Sequence, residues 1–366
     1  MFLKNIYLTN FKNYVSCKLQ IDSDINLIHG KNGSGKTNFL DAIHYLCLSK
    51  SYFSLSDKYL VHESQDVMRL EGKFLKDDLS DLHIVAKYQR DKKKKIEIDG
   101  NTKTTAKDLM GLIPVVFVSP DDISIVKGNS KDRRGFMDKV ICQTDIDYLN
   151  TLVSYNKIVR QKIAALKSNT PIDVTVIETL NHLMVPLIQR IREARIGFID
   201  KIGVLVSQSH EEMASGNEHV SLSLRSQFLD HNAADILNSH KFDEIRSRRI
   251  LVGSHRDDLD LTLNSYSLKK FGSQGQIKTF LYALKFAEYE FLQTYLDKKP
   301  ILILDDIFEK LDQSRLDVLL RMITSGYFGQ VFISDTELTR TRAILVKHSI
   351  TSDSFEVNNG QIVKST

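Results

Sequence analysis

Cysteine is scarce. Cys17, Cys47 and Cys142 are the only three in 366 residues, and they stand far apart. They form neither a disulfide framework nor a metal-ligand spacing, and inert thiols in a reducing compartment are the simple reading. Nowhere do about 18 apolar residues run together, so no membrane-spanning helix is expected. The first residues, MFLKNIYLTNFKNY, alternate like a strand and lack the charged start and apolar run of a secretory leader. A soluble, cytoplasmic protein is therefore expected. No internal repeat, low-complexity tract or sustained heptad run is present, which rules out a long coiled coil. Excess charge is small too: 50 Lys and Arg against 46 Asp and Glu leave +4. That balance permits a nucleic-acid partner without demanding one, because affinity depends on where the cations cluster.

What is present falls into three stretches. Residues 1–129 read mainly as strands: Phe2 to Tyr7, Cys17 to Ile21 and the apolar run Ile25 to His29. A helix from about Lys36 to Ser49 follows, with Phe39, Leu40, Ile43, Leu46 and Cys47 apolar. Alternation returns from about Val67 to Ile98, and Asp99-Gly100 or Gly100-Asn101 supplies a hairpin turn. The lysines at 92–95 read first as a solvated hairpin tip and second as a phosphate-backbone contact. Val115 to Val118 is a buried-strand run halted by Ser119-Pro120-Asp121-Asp122. Residues 130–247 are dominated by helical periodicity, with Arg133, Arg134, Lys157, Arg160, Lys162, Arg190, Arg192 and Arg195 interspersed. Residues 248–366 return to strand–helix alternation. The helical stretch thus reads as a lobe inserted between two parts of an α/β core.

Gly30-Lys31-Asn32-Gly33-Ser34-Gly35-Lys36-Thr37 fits G-x-x-x-x-G-K-[ST], follows a strand and opens a helix. Glycines let backbone N–H groups turn around phosphates, Lys36 reaches the β and γ oxygens, and Thr37 ligates Mg²⁺. The helix N-terminus points at the nucleotide, and Asn38 continues the loop into it. Ile301-Leu302-Ile303-Leu304 after Pro300 suits a parallel strand buried on both faces, ending in Asp305 and Asp306. Asp305 is placed to hold Mg²⁺ and Asp306 to orient or deprotonate a water. Ser273-Gln274-Gly275-Gln276 opens a helix, with Gly275 standing 25 residues before Pro300. An ordinary N-cap is one reading. The other is an anion site for the γ-phosphate bound by a second subunit, and this is preferred because one crossing helix fits the spacing.

Together these motifs resemble the RecF family, over essentially the whole chain. The run Thr37-Asn38-Phe39-Leu40-Asp41-Ala42-Ile43 is similar to that family's continuation of the loop. Ser119-Pro120-Asp121-Asp122 and Gly128 through Arg133-Arg134-Gly135-Phe136-Met137-Asp138 resemble its SPEDL and R-R-x-F-(L/M)-D segments. Gly253-Ser254-His255-Arg256-Asp257-Asp258 resembles its G-P-H-R-D-D motif, and LDDIFEKLD its Walker-B segment. The resemblance implies an α/β, ABC-ATPase-type P-loop core with a mixed β-sheet and a largely helical second lobe. It also implies ATP and Mg²⁺ as cofactors, an ATP-dependent homodimer, gapped or single-strand/double-strand DNA as partner, and slow hydrolysis. A nucleoid-associated role beside RecO and RecR in recombinase loading follows by the same implication. Some positions depart from the pattern: Ser254 replaces a proline, Lys310 an acid, and neither a Q-loop glutamine nor a switch histidine is evident. Asp335 or Thr336 is the candidate for the latter's place.

Two clusters remain open to more than one use. His255, Asp257 and Asp258 are types a metal-dependent nuclease uses. Adjacent residues on a strand point to opposite faces, so a structural or nucleotide-proximal loop is favoured. Arg133 and Arg134 suit DNA phosphates and an internal role equally. A transporter subunit is disfavoured by the insertion and the missing glutamine and histidine, and a P-loop metabolic kinase by the S-x-G-Q helix start.

Overall fold

Alternating apolar and polar residues make Phe2–Phe11 a strand with one face inside, burying Leu3, Ile6, Leu8 and Phe11. The step from Leu3 to Ile6 breaks strict alternation. A bulge between Leu3 and Asn5 against the neighbouring strand restores the phase. The computed structural model describes residues 1–54, 56–103, 105–168, 171–214, 218–306, 313–336 and 338–365. Two units emerge, Met1–Asp122 with Glu288–Thr366 and, separately, Ile123–Ala287.

The first unit holds two six-stranded sheets. One is antiparallel, in the order Tyr14–Gln20, Phe2–Phe11, Val67–Leu75, Asp81–Gln89, Lys95–Ile98, Asn101–Lys103. Ile98 pairs with Asn101, so Asp99-Gly100 is the two-residue turn, both at positive φ as a type I′ turn requires. The other sheet runs Gln361–Ser365, Asp353–Asn358, Ile25–His29, Val331–Asp335, Ile301–Leu304, Val115–Val118. It is parallel except for its C-terminal hairpin. Strands Ile301–Leu304 and Val115–Val118 are buried along their whole length and apolar throughout.

Helix Lys36–Leu48 packs on strands of both sheets. Its burial consequently runs all round rather than along one stripe. That puts Asp41, fully buried, among apolar groups. Lys12 Nζ at 2.7 Å, Ser51 Oγ at 2.7 Å and Tyr52 N at 2.7 Å satisfy it.

In the second unit, helices Ser130–Thr144, Ile146–Leu166 and Val174–Met213 are capped by Asn129, Asp145 and Asp173. Beside them lies a three-stranded antiparallel sheet, Tyr266–Ser267, Asp258–Leu263, Val220–Arg225. This unit is longer than the lobe at 130–247 expected from periodicity. The reason is long-range pairing: Asp258–Leu263 hydrogen-bonds to Val220–Arg225. The stretch 248–287, Ser273–Gln276 included, therefore belongs to the second unit, not to the C-terminal core part.

Candidate nucleotide site

Strand Ile25–His29 delivers the chain to a loop that only glycine can make. Gly30 has φ 150°, and a Cβ there would meet the Val357 carbonyl oxygen at 2.3 Å. Gly35 has φ 121°, and its missing Cβ would strike Asn13 Nδ2 at 2.5 Å. Asn13 clamps the loop. Its Nδ2 donates to Ser34 O (3.0 Å), and its Oδ1 accepts from Asn38 Nδ2 (2.8 Å). Tyr14 Oη donates to Gly35 O at 3.0 Å, and Gly360 N to Ser34 O at 3.1 Å. The loop carrying Gly30, Lys31, Asn32 and Gly33 is thus braced at its Ser34–Gly35 end by amide, phenol and backbone donors. Lys36 is buried and its Nζ donates to Gly30 O at 2.9 Å.

Three elements converge at the next residue. Thr37 Oγ1 donates to Asp305 Oδ1 at 3.1 Å. Strands Ile301–Leu304 and Val331–Asp335 run in parallel, Leu304 opposite Ile333, which brings Asp305 beside Ser334. Ser334 is fully buried, and its Oγ donates to Asp305 Oδ1 at 2.7 Å while accepting from Asp306 N at 2.9 Å. Asp306 has φ 48°, a conformation costly for a non-glycine residue and held here by that hydrogen bond. Burial first, and the Asp306 charge after it, push the Asp305 carboxyl up to about 6. Hydrogen bonds from Ser334 and Thr37 and the Lys36 charge act the other way. A hydroxyl and a carboxylate side by side are hard oxygen donors, the set Mg²⁺ takes together with phosphate and water. The residues present fit that ion.

The turn before helix Gln274–Leu296 closes a reciprocal pair. Ser273 N donates to Gln276 Oε1 at 2.8 Å and Gln276 N to Ser273 Oγ at 3.2 Å. This is a capping box, so the N-cap reading of the serine is satisfied. Ser273 and Gln274 nevertheless remain exposed, and the first helical turn carries no acid. Glu309, Lys310, Leu311 and Asp312 lie outside the described residues.

The His255–Asp258 motif is spoken for internally. Arg195, 2% exposed, reaches Asp257 Oδ2 (2.6 Å), Ser254 O (2.8 Å) and Asp138 Oδ1 (2.9 Å). Arg133 holds Asp258 through two nitrogens, at 2.7 and 3.0 Å, and Arg134 Nη1 donates to Asp257 O at 2.5 Å. Of the even alternatives for this arginine pair, the internal one is what the geometry provides. Burial, then the cations Arg256, Arg134, Lys162 and Arg195, push His255 down to about 4, and its Nδ1 lies 2.9 Å from Tyr155 Oη. Among the described residues no group of three or more His, Cys, Asp or Glu is placed to bind a metal.

Ser119 to Asp122 forms a local knot in which Asp122 accepts from Ser119 N at 2.8 Å and from Tyr52 Oη. Asp335 accepts from Thr341 Oγ1. Ser334 and Asn13 were not singled out by the sequence. Ser334 had only its place at a strand end to mark it, and Asn13 had no signal.

A family model described as RecF/RecN/SMC N terminal domain matches residues 2–347. The chain is 35% identical to the DNA replication and repair protein RecF of Flavobacterium johnsoniae, over 94% of this chain and 97% of that one. It is 34% identical to the protein of the same name from Bacteroides thetaiotaomicron, over 99% and 98%. The solved structure of a recombination mediator protein RecF with ATP superposes with a TM-score of 0.88 at 26% identity, covering 100% of this chain and 98% of that one. An SMC head, at 13% identity and a TM-score of 0.58, shares the fold.

Proposed function

The chain belongs to the RecF family of DNA replication and repair proteins, and from that premise we propose that it is an ATP-gated, DNA-binding clamp of recombinational repair. The observation that carries the reading is the junction of Thr37, Asp305 and Ser334 beside a braced phosphate loop. Gly30 to Asn38 cradle the triphosphate with backbone N–H groups, and Lys36 neutralises its β and γ oxygens. Thr37 and Asp305 would hold Mg²⁺, which when bound would offset charge on the phosphates. Asp306, fixed through its own N–H, orients the attacking water. Ser273, Gln274, Gly275 and Gln276 of a second copy close over the γ-phosphate, so that ATP bridges the dimer and hydrolysis releases it.

DNA, gapped or at single-strand/double-strand junctions, is gripped mainly through phosphates, and RecO and RecR are the partners in recombinase loading. With Arg133, Arg134, Lys162 and Arg195 engaged inside the second unit, the exposed Lys157 and Arg160 are better placed for such contacts. Turnover is weak and stimulated by DNA.

Sedimentation with Mg²⁺–ATP, with and without gapped DNA, tests the reading beside Lys36→Ala and Ser273→Arg. The parent is expected to dimerise with ATP and bind DNA in a salt-sensitive manner, and both variants to lose this. A chain that stays monomeric with ATP and ignores DNA would refute the clamp.

A further inference from the structure

From Leu261 to Ala287 the chain carries Lys269, Lys270, Lys278 and Lys285 and not one Asp or Glu. Two aromatic side chains within this acid-free stretch face solvent, Tyr266 at 66% and Phe271 at 70% exposed. Their ring centroids lie 6.0 Å apart at 73°, edge to face. Both are held on ordered supports. Tyr266 pairs with Leu263 across the turn Asn264-Ser265, whose residues both have positive φ. Phe271 ends the short helix Leu268–Phe271, anchored by the buried Leu268. Lys269 is tied to Gly128 O at 2.6 Å, and Lys270 is exposed. A carboxylate beside the start of the following helix, Glu218, is engaged by Gln276 Nε2 at 2.8 Å.

A fixed pair of exposed rings beside cations is suited to a flat, electron-rich heterocycle that carries phosphate. The start of the signature turn at Ser273 lies only two residues beyond Phe271. We propose that Tyr266 and Phe271 form a stacking platform for the purine of the ATP held in the phosphate loop of a second copy of this chain. This rests on the reading that Ser273–Gln276 faces that copy's triphosphate, and extends it by giving the base a site. ATP is then read from both subunits, its phosphates and its base each touching the chain that does not hold it. A bare triphosphate leaves the platform empty.

The chain contains no tryptophan, so Phe271→Trp installs a single indole at the platform. Its emission is followed in the full-length protein during titration with Mg²⁺–ATP, inorganic triphosphate or a single-stranded oligonucleotide, with sedimentation of the same samples. ATP is expected to change the emission in step with dimerisation, and triphosphate to leave it unchanged. Placed in a Lys36→Ala chain mixed with parent, the indole still responds, because the ATP it meets sits in the parent's loop. Joint Tyr266→Ala and Phe271→Ala substitution raises the ATP concentration for half-dimerisation about tenfold, the scale of a lost base–aromatic stack. An ATP-driven dimer with a silent indole overturns the platform and leaves the signature reading standing. So does loss of the response in the mixed dimer. A response to oligonucleotide without ATP assigns the rings to DNA instead, and absence of any ATP-driven dimer removes both readings.

Discussion

Glu244→Gln isolates a fully buried charge pair of the second unit. Lys162 and Glu244 side chains are both 0% exposed, with Nζ 2.6 Å from Oε2. Asn181 Oδ1 takes a second proton of the ammonium at 2.6 Å, and Glu244 Oε1 accepts from Leu251 N at 2.8 Å. The amide of glutamine keeps the acceptor for Leu251 but faces the ammonium with no charge. Breaking one side of a buried pair costs about 3–5 kcal/mol. For a unit of this size about 1 kcal/mol shifts the melting temperature by 2–4 °C, so the unit should melt roughly 6–20 °C lower.

The pH dependence carries the sign. Burial already holds the Lys162 ammonium below its ordinary value, with Glu244 acting against it. Removing that carboxylate lowers it further. Between the depressed folded value and the unfolded value near about 10.4, the unfolded chain binds more protons, so stability rises with pH there. The gap between variant and parent should therefore be widest near neutrality and narrow as pH climbs towards that of free lysine. Thermal melts at several pH values between neutral and alkaline measure it. A variant melting within a degree of the parent at neutral pH, or a gap indifferent to pH, would refute the account of this pair.

Ser334→Ala removes the donor to Asp305 and the acceptor for Asp306 N. A loss of about 1–3 kcal/mol should slow ATP turnover roughly 5- to 150-fold with nucleotide affinity little changed. Ser334→Thr should restore most of the rate, and equal rates for alanine and threonine would show that the hydroxyl does nothing there. His255, held down to about 4 by burial and its cationic neighbours, stays neutral in the fold while the unfolded chain protonates near about 6.5. Stability from this group is lost as pH falls from that value towards 4, by up to about 3 kcal/mol. His255→Gln should flatten the acid limb of the stability curve, and an unchanged limb would place the titration elsewhere.

Local chemistry was readable from the chain alone. The phosphate loop is eight consecutive residues whose glycines are dictated by backbone geometry, and the buried parallel strand before Asp305 announces itself by unbroken apolarity. The turn at Asp99-Gly100 and the helix at Lys36 followed from residue types a few positions apart. Charge on the helical lobe was not readable. Arg133 and Arg195 look like solvated or DNA-facing cations until the fold brings Asp258 and Asp257, 125 and 62 residues away, against them. A helical period records which face is apolar, but not whether a distant carboxylate will arrive to neutralise a cation there. Ser334 meets Asp305 across 29 residues only because two parallel strands share a register, and Val220–Arg225 joins Asp258–Leu263 through a long-range antiparallel pairing. Sequence determined the pieces whose interactions close within a turn of helix or loop. Tertiary structure decided which charges were buried, which hydroxyl was shared and which unit held Ser273–Gln276, because those depend on contacts between residues far apart along the chain.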